Sequence, residues 1–242
     1  MHYIHLPWTF CEDLSQNYVL CDEAFRHLFH VLRVPNRSEI VSFDGCGKLR
    51  LGRLLADKKS GSVEFTEPIF TVPAPPKAFN LVQCLPNNIA TFEDILRKAS
   101  ELGIQNIFPV LSERTEKSFW RPELWNKRQE RFRRILQESC KQAKNPFLPK
   151  LHPIASLNDL PTLNVGHCFF GSLESAQTSF PDLKNEPAVA CIVGPEGGFS
   201  TSEESFLTSF ATPLHLPTCV LRAETAVVAL LSILKMNYSM EN

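Results

Sequence analysis

The stretch Cys191-Ile-Val-Gly-Pro-Glu-Gly-Gly-Phe-Ser200 decides the fold of this chain. It begins with an apolar run typical of a buried strand and passes into a turn with three glycines, which permit a close backbone approach. The letters Ser200-Thr-Ser-Glu-Glu204 then predict the start of a helix. A strand that leads through such a loop into a helix predicts an α/β architecture with backbone amides exposed in a concave loop.

The glycine-rich loop limits the kind of ligand that it can bind. A phosphate-binding loop would end in Gly-Lys-Ser/Thr, and a dinucleotide site would open its helix with GxGxxG; neither pattern is present. The loop instead carries an acid, Glu196, where a phosphate site favours a base. The pattern therefore favours a neutral or cationic ligand, and a tight structural turn is the alternative interpretation.

A second stretch, Leu216-Pro-Thr-Cys-Val-Leu-Arg-Ala-Glu-Thr-Ala226, places two charged residues at the start of an apolar helix. Arg222 lies beside the helix N-terminus, so two positive features together attract anionic character in a ligand. The alternative interpretation is a surface salt bridge between Arg222 and Glu224.

Strands and helices alternate through the rest of the C-terminal two thirds. A buried strand at 79–84, a helix at 91–102 that ends at Gly103, and a strand at 107–111 form a βαβ unit, which predicts a parallel sheet. The further predicted elements are a long basic helix at 124–143, strands at 168–171, 188–193 and 213–216, and a final helix at 224–238.

The N-terminal part has the pattern of a separate small β domain. A short amphipathic helix at 22–33 stops before Pro35, and strands at 39–44, 48–56 and 62–70 predict a small antiparallel barrel. Residues 71–77 contain three prolines, which are typical of a stiff linker. We therefore place the domains at residues 1–71 and 78–242.

Composition excludes several classes of protein. The chain has 242 residues, 43% hydrophobic and 21% charged, and its longest apolar run, Ala226–Leu231, is far shorter than a membrane-spanning helix requires. The N-terminus lacks a secretory signal pattern, so we expect a cytosolic protein. The eight cysteines form no CxxC pair, and we expect free, mainly buried thiols and no metal site.

The formal charge of -1 conceals two basic stretches. Residues 114–150 contain eleven Lys or Arg and four Glu, and residues 26–59 contain eight Lys or Arg and three acids. Such concentration favours a polyanionic partner, because Lys and Arg release counterions when they contact phosphates. The alternative is a solvated helix face on which charges happen to cluster.

The two C-terminal stretches resemble a known family. Gly194-Pro-Glu-Gly-Gly-Phe-Ser200 followed by Val220-Leu-Arg-Ala-Glu-Thr-Ala226 is similar to the C-terminal signature of the SPOUT superfamily, in particular the 16S ribosomal RNA uridine N3-methyltransferases. The resemblance spans the chain and includes His27-Leu28, Val31-Leu-Arg33, Phe43-Asp-Gly45, Lys98-Ala-Ser-Glu-Leu-Gly103, Ser112-Glu-Arg114 and Gln142.

This resemblance implies the fold, the cofactor and the partners. The implied fold is α/β, with an N-terminal PUA-like β-barrel followed by a SPOUT domain whose parallel sheet ends in a C-terminal trefoil knot, a rare exception to unknotted chains. The implied cofactor is S-adenosylmethionine, the implied substrate is 16S ribosomal RNA or the assembled small subunit, and the implied state is a homodimer.

Site residues follow from the same motifs. Arg222 is expected to stabilise the uracil anion and Glu224 to remove its proton, with water or the field of the cofactor as alternatives. The expected cofactor-binding residues are Phe170, Gly171, Gly194, Glu196, Gly197, Gly198, Leu216, Val220, Leu221 and Arg222. The expected RNA-binding residues are Arg33, Arg37, Arg50, Arg53, Arg114, Arg128, Arg131, Arg134, Lys141 and Lys144, with Lys48 in the same N-terminal patch.

Two segments depart from the family pattern. Pro217 and Cys219 stand where the family usually has a Gly and an Arg, and Lys141-Gln-Ala-Lys-Asn145 stands where it usually has Glu-Gln-Ser-x-Arg. The first change alters the shape of the cofactor loop, and the second removes an expected arginine.

Three functional hypotheses follow. The first is methyl transfer to N3 of a uridine in 16S ribosomal RNA. The second is a non-catalytic RNA-binding or ribosome-assembly protein with the same fold, and the third is a SPOUT methyltransferase acting on another RNA. The final helix is apolar at nearly every position from Ala226 to Leu234, which is more than one buried face requires and indicates contact with a second subunit.

Overall fold

The computed structural model describes residues 2–6, 17–57, 60–173, 183 and 186–239. Cys11, Lys58 and Lys59, which entered the cysteine and charge arguments, lie outside these residues. Contacts divide the chain into two compact units. The first comprises Met1–Ala74 with Cys140–Leu148, and the second comprises Pro75–Ser139 with Pro149–Asn242. The segment Cys140–Leu148 thus clusters with the N-terminal unit, although it lies within the second predicted domain.

The first unit is built on a mixed sheet. Its described strands have the order β1-β3-β4-β5-β2, with β6 paired to β4. They are β1 (His2–His5), β2 (Tyr18–Val19), β3 (Glu39–Phe43), β4 (Lys48–Ala56), β5 (Gly61–Phe65) and β6 (Phe70–Thr71). The helix α1 (Asp22–Arg26) continues as a wider π-helical turn at His27–Val31, and its residues Phe25 and Leu28 join the apolar core of this sheet.

Two predictions for this unit are wrong. The sheet is not purely antiparallel, because β1 runs parallel to β3 with His2 opposite Ile40; the N-terminal letters carry no strand pattern that shows this long-range pairing. The strand predicted at 62–70 ends at Phe65, and the chain pairs again only at Phe70–Thr71, after Pro68. Proline lacks the N–H that a continuous ladder needs.

The second unit contains a parallel sheet with the strand order β10-β8-β7-β12-β11-β13, and β9 pairs with β8. Its strands are β7 (Ala78–Cys84), β8 (Asn106–Leu111), β9 (Lys150–Leu151), β10 (Ala155–Ser156), β11 (His167–Gly171), β12 (Ala188–Val193) and β13 (Ala211–Leu214). The central strands β7 and β12 are buried along nearly their whole length, as expected for a parallel sheet covered on both faces. The βαβ prediction is confirmed, while β13 begins and ends two residues earlier than predicted.

The helices of this unit follow the local signals of the sequence. They are α2 (Ile89–Glu101), α3 (Pro122–Ala143), α4 (Thr201–Thr208) and α5 (Ala223–Ser239). Asn88 caps α2 by accepting a hydrogen bond from the backbone N–H of Ala90, so this helix begins two residues earlier than predicted. Helix α5 packs against α2 and β12. Among the described residues, no helix is long and apolar enough to cross a membrane.

The prediction of free thiols, most of them buried, is confirmed for the seven cysteines in the described part of the chain. All seven are free, and four of them, Cys84, Cys140, Cys168 and Cys191, are buried. Burial raises the pKa of the Cys168 thiol to about 11 and that of the Cys140 thiol to about 12. These thiols therefore remain protonated at neutral pH and behave as small apolar side chains.

Candidate functional site

The candidate site lies where the parallel strands of the second unit end. Ligands of open α/β sheets bind at the carboxyl edge of the strands. Here β12 leads into the glycine loop, defined as residues 194–200, and β13 leads into residues 215–222, which we call the Arg222 loop. Strand β11 pairs with both, so its last residue Gly171 lies between the two loops at the same edge.

Gly198 shapes the glycine loop. Its φ is +69°, a conformation that residues with a Cβ rarely adopt, and its N–H donates to the carbonyl of Pro195 over 2.9 Å to close the turn. A Cβ added at Gly198 would meet no atom within 4 Å, whereas at Gly194 it would lie 3.3 Å from the ring of Phe199. The loop is therefore tight on its inner side and open beside Gly198.

The loop that follows β8 clamps the glycine loop. Arg114 donates from Nη1 to the carbonyl of Gly197 over 2.5 Å. The buried carboxylate of Glu203 accepts from the backbone N–H of Glu113 over 2.7 Å and from that of Ser200 over 2.9 Å. One carboxylate thus caps α4 and joins two loops that are distant in sequence.

Glu113 reinforces this clamp. Hydrogen bonds from the hydroxyls of Ser200 and Ser202 hold the pKa of the Glu113 carboxyl below its ordinary value, because they favour the charged form. The Ser202 hydroxyl donates to Oε1 of Glu113 over 3.0 Å. Glu113 is therefore ionised at neutral pH and accepts hydrogen bonds from the first turn of α4.

Asn87 connects the loop after β7 to the same site. Its backbone N–H donates to Oε2 of Glu196 over 2.9 Å, and its side-chain Oδ1 accepts from the N–H of Glu116 over 2.8 Å. Sequence reasoning missed Asn87, Glu113 and Glu203. Asn87 directly follows a buried strand and the turn residue Pro86, and this was the available signal.

The Arg222 loop is the most exposed part of the site. Val220 is 78% exposed, and the Arg222 side chain faces solvent just before the first residue of α5. The carbonyl of Arg222 accepts from the N–H groups of Thr225 and Ala226, which begins the helix. Within the described residues the Arg222 guanidinium forms no hydrogen bond or ion pair, so the alternative of a salt bridge with Glu224 is wrong for this fold.

The predicted residues on β11 have different surroundings. Phe170 is 2% exposed and packs edge-to-face on Phe199, so its ring belongs to the core. A Cβ at Gly171 would lie 2.9 Å from the Leu230 side chain, which explains the small residue. On the central strand β7, Gln83 is fully buried and its Oε1 finds no hydrogen-bond partner among the described residues.

Comparison with known proteins identifies the family. Residues 73–235 match the family model described as an RNA methyltransferase domain, which covers two thirds of the chain and includes the glycine loop, the Arg222 loop and the loops after β7 and β8. The chain belongs to this RNA methyltransferase family. The basic residues of this chain are therefore those of an RNA methyltransferase.

Individual relatives cover almost the whole chain. The ribosomal RNA small subunit methyltransferase E of Aquifex aeolicus is 35% identical over 233 residues, which is 95% of this chain and 98% of that protein. The structure of the same-named protein from Neisseria gonorrhoeae, bound to S-adenosyl methionine, has a TM-score of 0.82 at 28% identity and covers 98% of this chain and 97% of that one. A putative methyltransferase from Legionella pneumophila, in complex with the cofactor SAM, has a TM-score of 0.85 at 26% identity and covers 97% of this chain and 96% of that one.

The basic residues expected to contact RNA are placed unevenly by this methyltransferase fold. On α3, Arg128 donates to the carbonyl of Phe119 over 2.6 Å, and Arg134 lies 3.5 Å from Glu130. Arg131 makes a two-pronged ion pair with the buried Glu93 of α2, which raises its pKa further. Arg131 thus joins two helices, and part of its charge is neutralised within the protein.

The first unit contains Arg33, Arg37 and Arg53 as exposed side chains, and its added segment contains the exposed Lys144 and the half-buried Lys141. The prediction that Arg50 contacts RNA is wrong. Arg50 is 2% exposed, its Nε donates to the carbonyl of Glu67 over 3.2 Å, and its guanidinium lies 4.1 Å from the centre of the Phe65 ring.

The burial of Arg50 follows from the alternation of side chains along β4. Arg50, Gly52 and Leu54 alternate toward the inside of β4, while Leu51 is 38% exposed. Because its guanidinium is enclosed, Arg50 has no free charge to offer a phosphate.

Proposed function

We propose that this protein transfers a methyl group from S-adenosylmethionine to N3 of a specific uridine in the 16S ribosomal RNA of the small subunit. The observation that carries the proposal is the convergence of the glycine loop and the Arg222 loop at one edge of the parallel sheet. The names of the Aquifex and Neisseria relatives, and the ligand of the Neisseria structure, support the substrate and the cofactor.

The residues present fit S-adenosylmethionine. The glycine loop is clamped by Arg114 and yet open beside Gly198, and its one charge, Glu196, is negative and suits a sulfonium cation better than a phosphate. Gln83 adds an unused buried acceptor on the strand that pairs with Val193, directly before Gly194. The cofactor would be bound by the segments at 170–171, 194–198 and 216–222.

The chemistry places specific demands on Arg222. S-adenosylmethionine supplies an electrophilic methyl group on sulfur. The uracil N3 becomes nucleophilic only after its proton leaves, and the negative charge then spreads onto the flanking carbonyl oxygens. Arg222 is exposed, has no intramolecular partner among the described residues and stands at the positive end of α5. In the proposal it donates to a uracil carbonyl oxygen as that charge develops.

Glu224 is proposed as the base. It lies in the first turn of α5, is half-buried, and follows Arg222 by two residues. Its carboxylate takes the N3 proton, the N3 lone pair forms the new bond to the methyl carbon, and the electrons of the broken sulfur–carbon bond return to sulfur. The products are the N3-methylated uridine and S-adenosylhomocysteine.

The proposal includes the finer features of the fold. Residues 1–71 form a PUA-like RNA-binding barrel, and residues 78–242 form the methyltransferase domain with a C-terminal trefoil knot. The exposed cations Arg33, Arg37 and Arg53 support RNA binding by the first domain. The enzyme acts in the cytoplasm, on naked RNA or on the assembled small subunit, and needs no metal.

We also propose a homodimer. Helix α5 buries Val227, Leu230 and Leu234, yet it also leaves Met236 61% exposed and Ile233 half-buried. Val220, ahead of the helix, is also exposed, and we propose that a second subunit covers the exposed apolar side chains of this segment. Light scattering at micromolar concentration should give twice the mass of one chain, and the mass of a single chain would contradict the proposal.

The test of function is nucleoside analysis by mass spectrometry. Small-subunit ribosomal RNA from cells with the gene should contain N3-methyluridine, and RNA from cells without it should lack this nucleoside at one position. Purified protein with S-adenosylmethionine should restore it. Binding of both ligands without any methylation would favour the non-catalytic hypothesis, and a different modified nucleoside would favour another RNA target.

A further inference from the structure

Phe119 is an aromatic side chain left exposed beside the candidate site. Its ring is 42% exposed, although the adjacent Trp120 is only 2% exposed. Both belong to the short 3-10 turn Lys117–Trp120, which lies between β8 and α3. Removing a phenylalanine ring from water is favourable by about 1.5–3 kcal/mol, so a ligand that covered the Phe119 ring would gain affinity.

The turn that presents Phe119 is fixed from three sides. Trp120 donates from Nε1 to the carbonyl of Pro86 over 2.8 Å, and its ring packs edge-to-face on Phe92. Glu116 caps the turn by accepting from the N–H of Ser118, and Arg128 donates to the carbonyl of Phe119 over 2.6 Å. These contacts hold the backbone of the turn in place, so the Phe119 ring projects from a fixed position.

The same turn is connected to the glycine loop by a short series of hydrogen bonds. The N–H of Phe119 donates to the carbonyl of Glu116, the N–H of Glu116 donates to Oδ1 of Asn87, and the N–H of Asn87 donates to Glu196. Phe119 thus belongs to the same framework as the residues at the edge of the sheet.

The chain segment that contains Phe119 is rich in cations. Residues 116–134 contain seven Lys or Arg against three Glu, and the exposed Lys117 and Arg121 flank the ring in sequence. An exposed aromatic ring among cations suits an unpaired nucleotide, since the base stacks on the ring while the phosphates contact the charges. A purely apolar protein partner would gain nothing from the cations.

We propose that the Phe119 ring is a stacking platform for an unpaired base of the RNA substrate, next to the nucleotide that is methylated. This inference rests on the proposed function. Stacking requires a π face and is insensitive to the identity of the base, so Phe119 contributes affinity for single-stranded RNA and positions the strand.

The test compares Phe119→Ala, Phe119→Leu and Phe119→Trp. Affinity is measured for two probes of equal length, single-stranded oligouridylate and a fully paired RNA duplex. The Ala and Leu variants should bind the single strand about 5- to 100-fold more weakly, the range for losing one stacked base, and the Trp variant should bind as wild type. Duplex affinity and S-adenosylmethionine affinity should stay within about twofold for all three.

Phe119→Leu is the matched control, because leucine keeps an apolar side chain on the turn but has no π face on which a base could stack. Full single-strand affinity in Phe119→Leu, a loss in Phe119→Trp as large as in Phe119→Ala, or a change of oligomeric state in Phe119→Ala would each overturn the platform. A different result would contradict the proposed function: wild-type protein that neither binds the cofactor nor methylates small-subunit RNA.

Discussion

Arg114 and Gly197 are 83 residues apart in sequence, yet Nη1 of Arg114 donates to the Gly197 carbonyl over 2.5 Å. This bond fixes the backbone of the proposed cofactor loop from outside. Arg114 begins the basic stretch 114–150, and the sequence therefore predicts an RNA contact for it. The structure gives it a definite intramolecular partner.

Arg114→Ala is therefore expected to weaken S-adenosylmethionine binding by about 10-fold, which corresponds to about 1.5 kcal/mol, the lower end for a hydrogen bond to a charged group. Calorimetry measures this directly. Arg121→Ala removes the same charge from an exposed site and should leave cofactor affinity unchanged. Normal cofactor affinity in Arg114→Ala, with a reduced salt dependence of RNA binding, would return Arg114 to the phosphate-binding residues.

Gly198→Val is expected to reduce cofactor affinity at least 10-fold while the protein stays folded. The added Cβ would meet no protein atom within 4 Å, so the side chain enters the open space beside the loop, and the φ of +69° is unfavourable for a β-branched residue. Gly47→Ala is the contrasting variant, because its Cβ would lie 2.5 Å from the Phe147 ring. It should lower thermal stability and leave cofactor affinity intact; the reverse pattern would contradict the assignment of the loop.

Arg222→Ala is expected to lower kcat by about 10²- to 10³-fold with a modest change in KM, since the guanidinium acts mainly on charge that develops in the transition state. Arg222→Lys should recover only part of the rate, because lysine lacks the planar fork. Single-turnover kinetics on small-subunit particles separates the chemical step from binding. A near-normal kcat in Arg222→Ala would exclude the role.

Cys219 offers a chemical probe of the Arg222 loop. Cys219 and Cys46 are exposed, whereas burial raises the pKa of Cys168 to about 11 and that of Cys140 to about 12. Iodoacetamide at pH 8 should modify Cys219 and Cys46 quickly and the two buried thiols only after unfolding. Saturating S-adenosylmethionine should slow labelling of Cys219 alone, as read by peptide mass spectrometry. Equal labelling of Cys219 with and without cofactor would place the ligand elsewhere.

Charges on α3 should separate into two roles. Changing Arg128, Arg133 and Arg134 together to Ala is expected to weaken RNA binding and flatten the slope of log affinity against log salt. Arg131→Ala should instead lower the thermal midpoint, because it leaves the buried Glu93 carboxylate without its closest partner. Thermal unfolding and salt titrations of both variants test this division, and a triple variant with an unchanged slope would show that α3 is not an RNA surface.

The sequence alone predicts those elements of the fold whose signals are local in the chain. The strand 188–193, the glycine turn and the helix start at Ser200 are consecutive in the chain, and the structure has β12, the turn closed by Gly198 and α4 in that order. The parallel sheet also followed from local patterns, because an apolar strand, an amphipathic helix and another apolar strand leave few other arrangements. The two specific motifs were sufficient for the family.

Only the tertiary structure decided which partner each charged residue has. Arg50, Arg114 and Arg131 all occur in basic stretches, but the structure gives them different partners. Arg50 packs on the Phe65 ring, Arg114 donates to the Gly197 carbonyl, and Arg131 pairs with Glu93. The sequence also does not show that β1 pairs with β3, because this pairing joins segments that are distant in the chain. An arginine side chain is long and can donate to any acceptor within its reach. Its role therefore depends on which distant segments of the chain pack next to it.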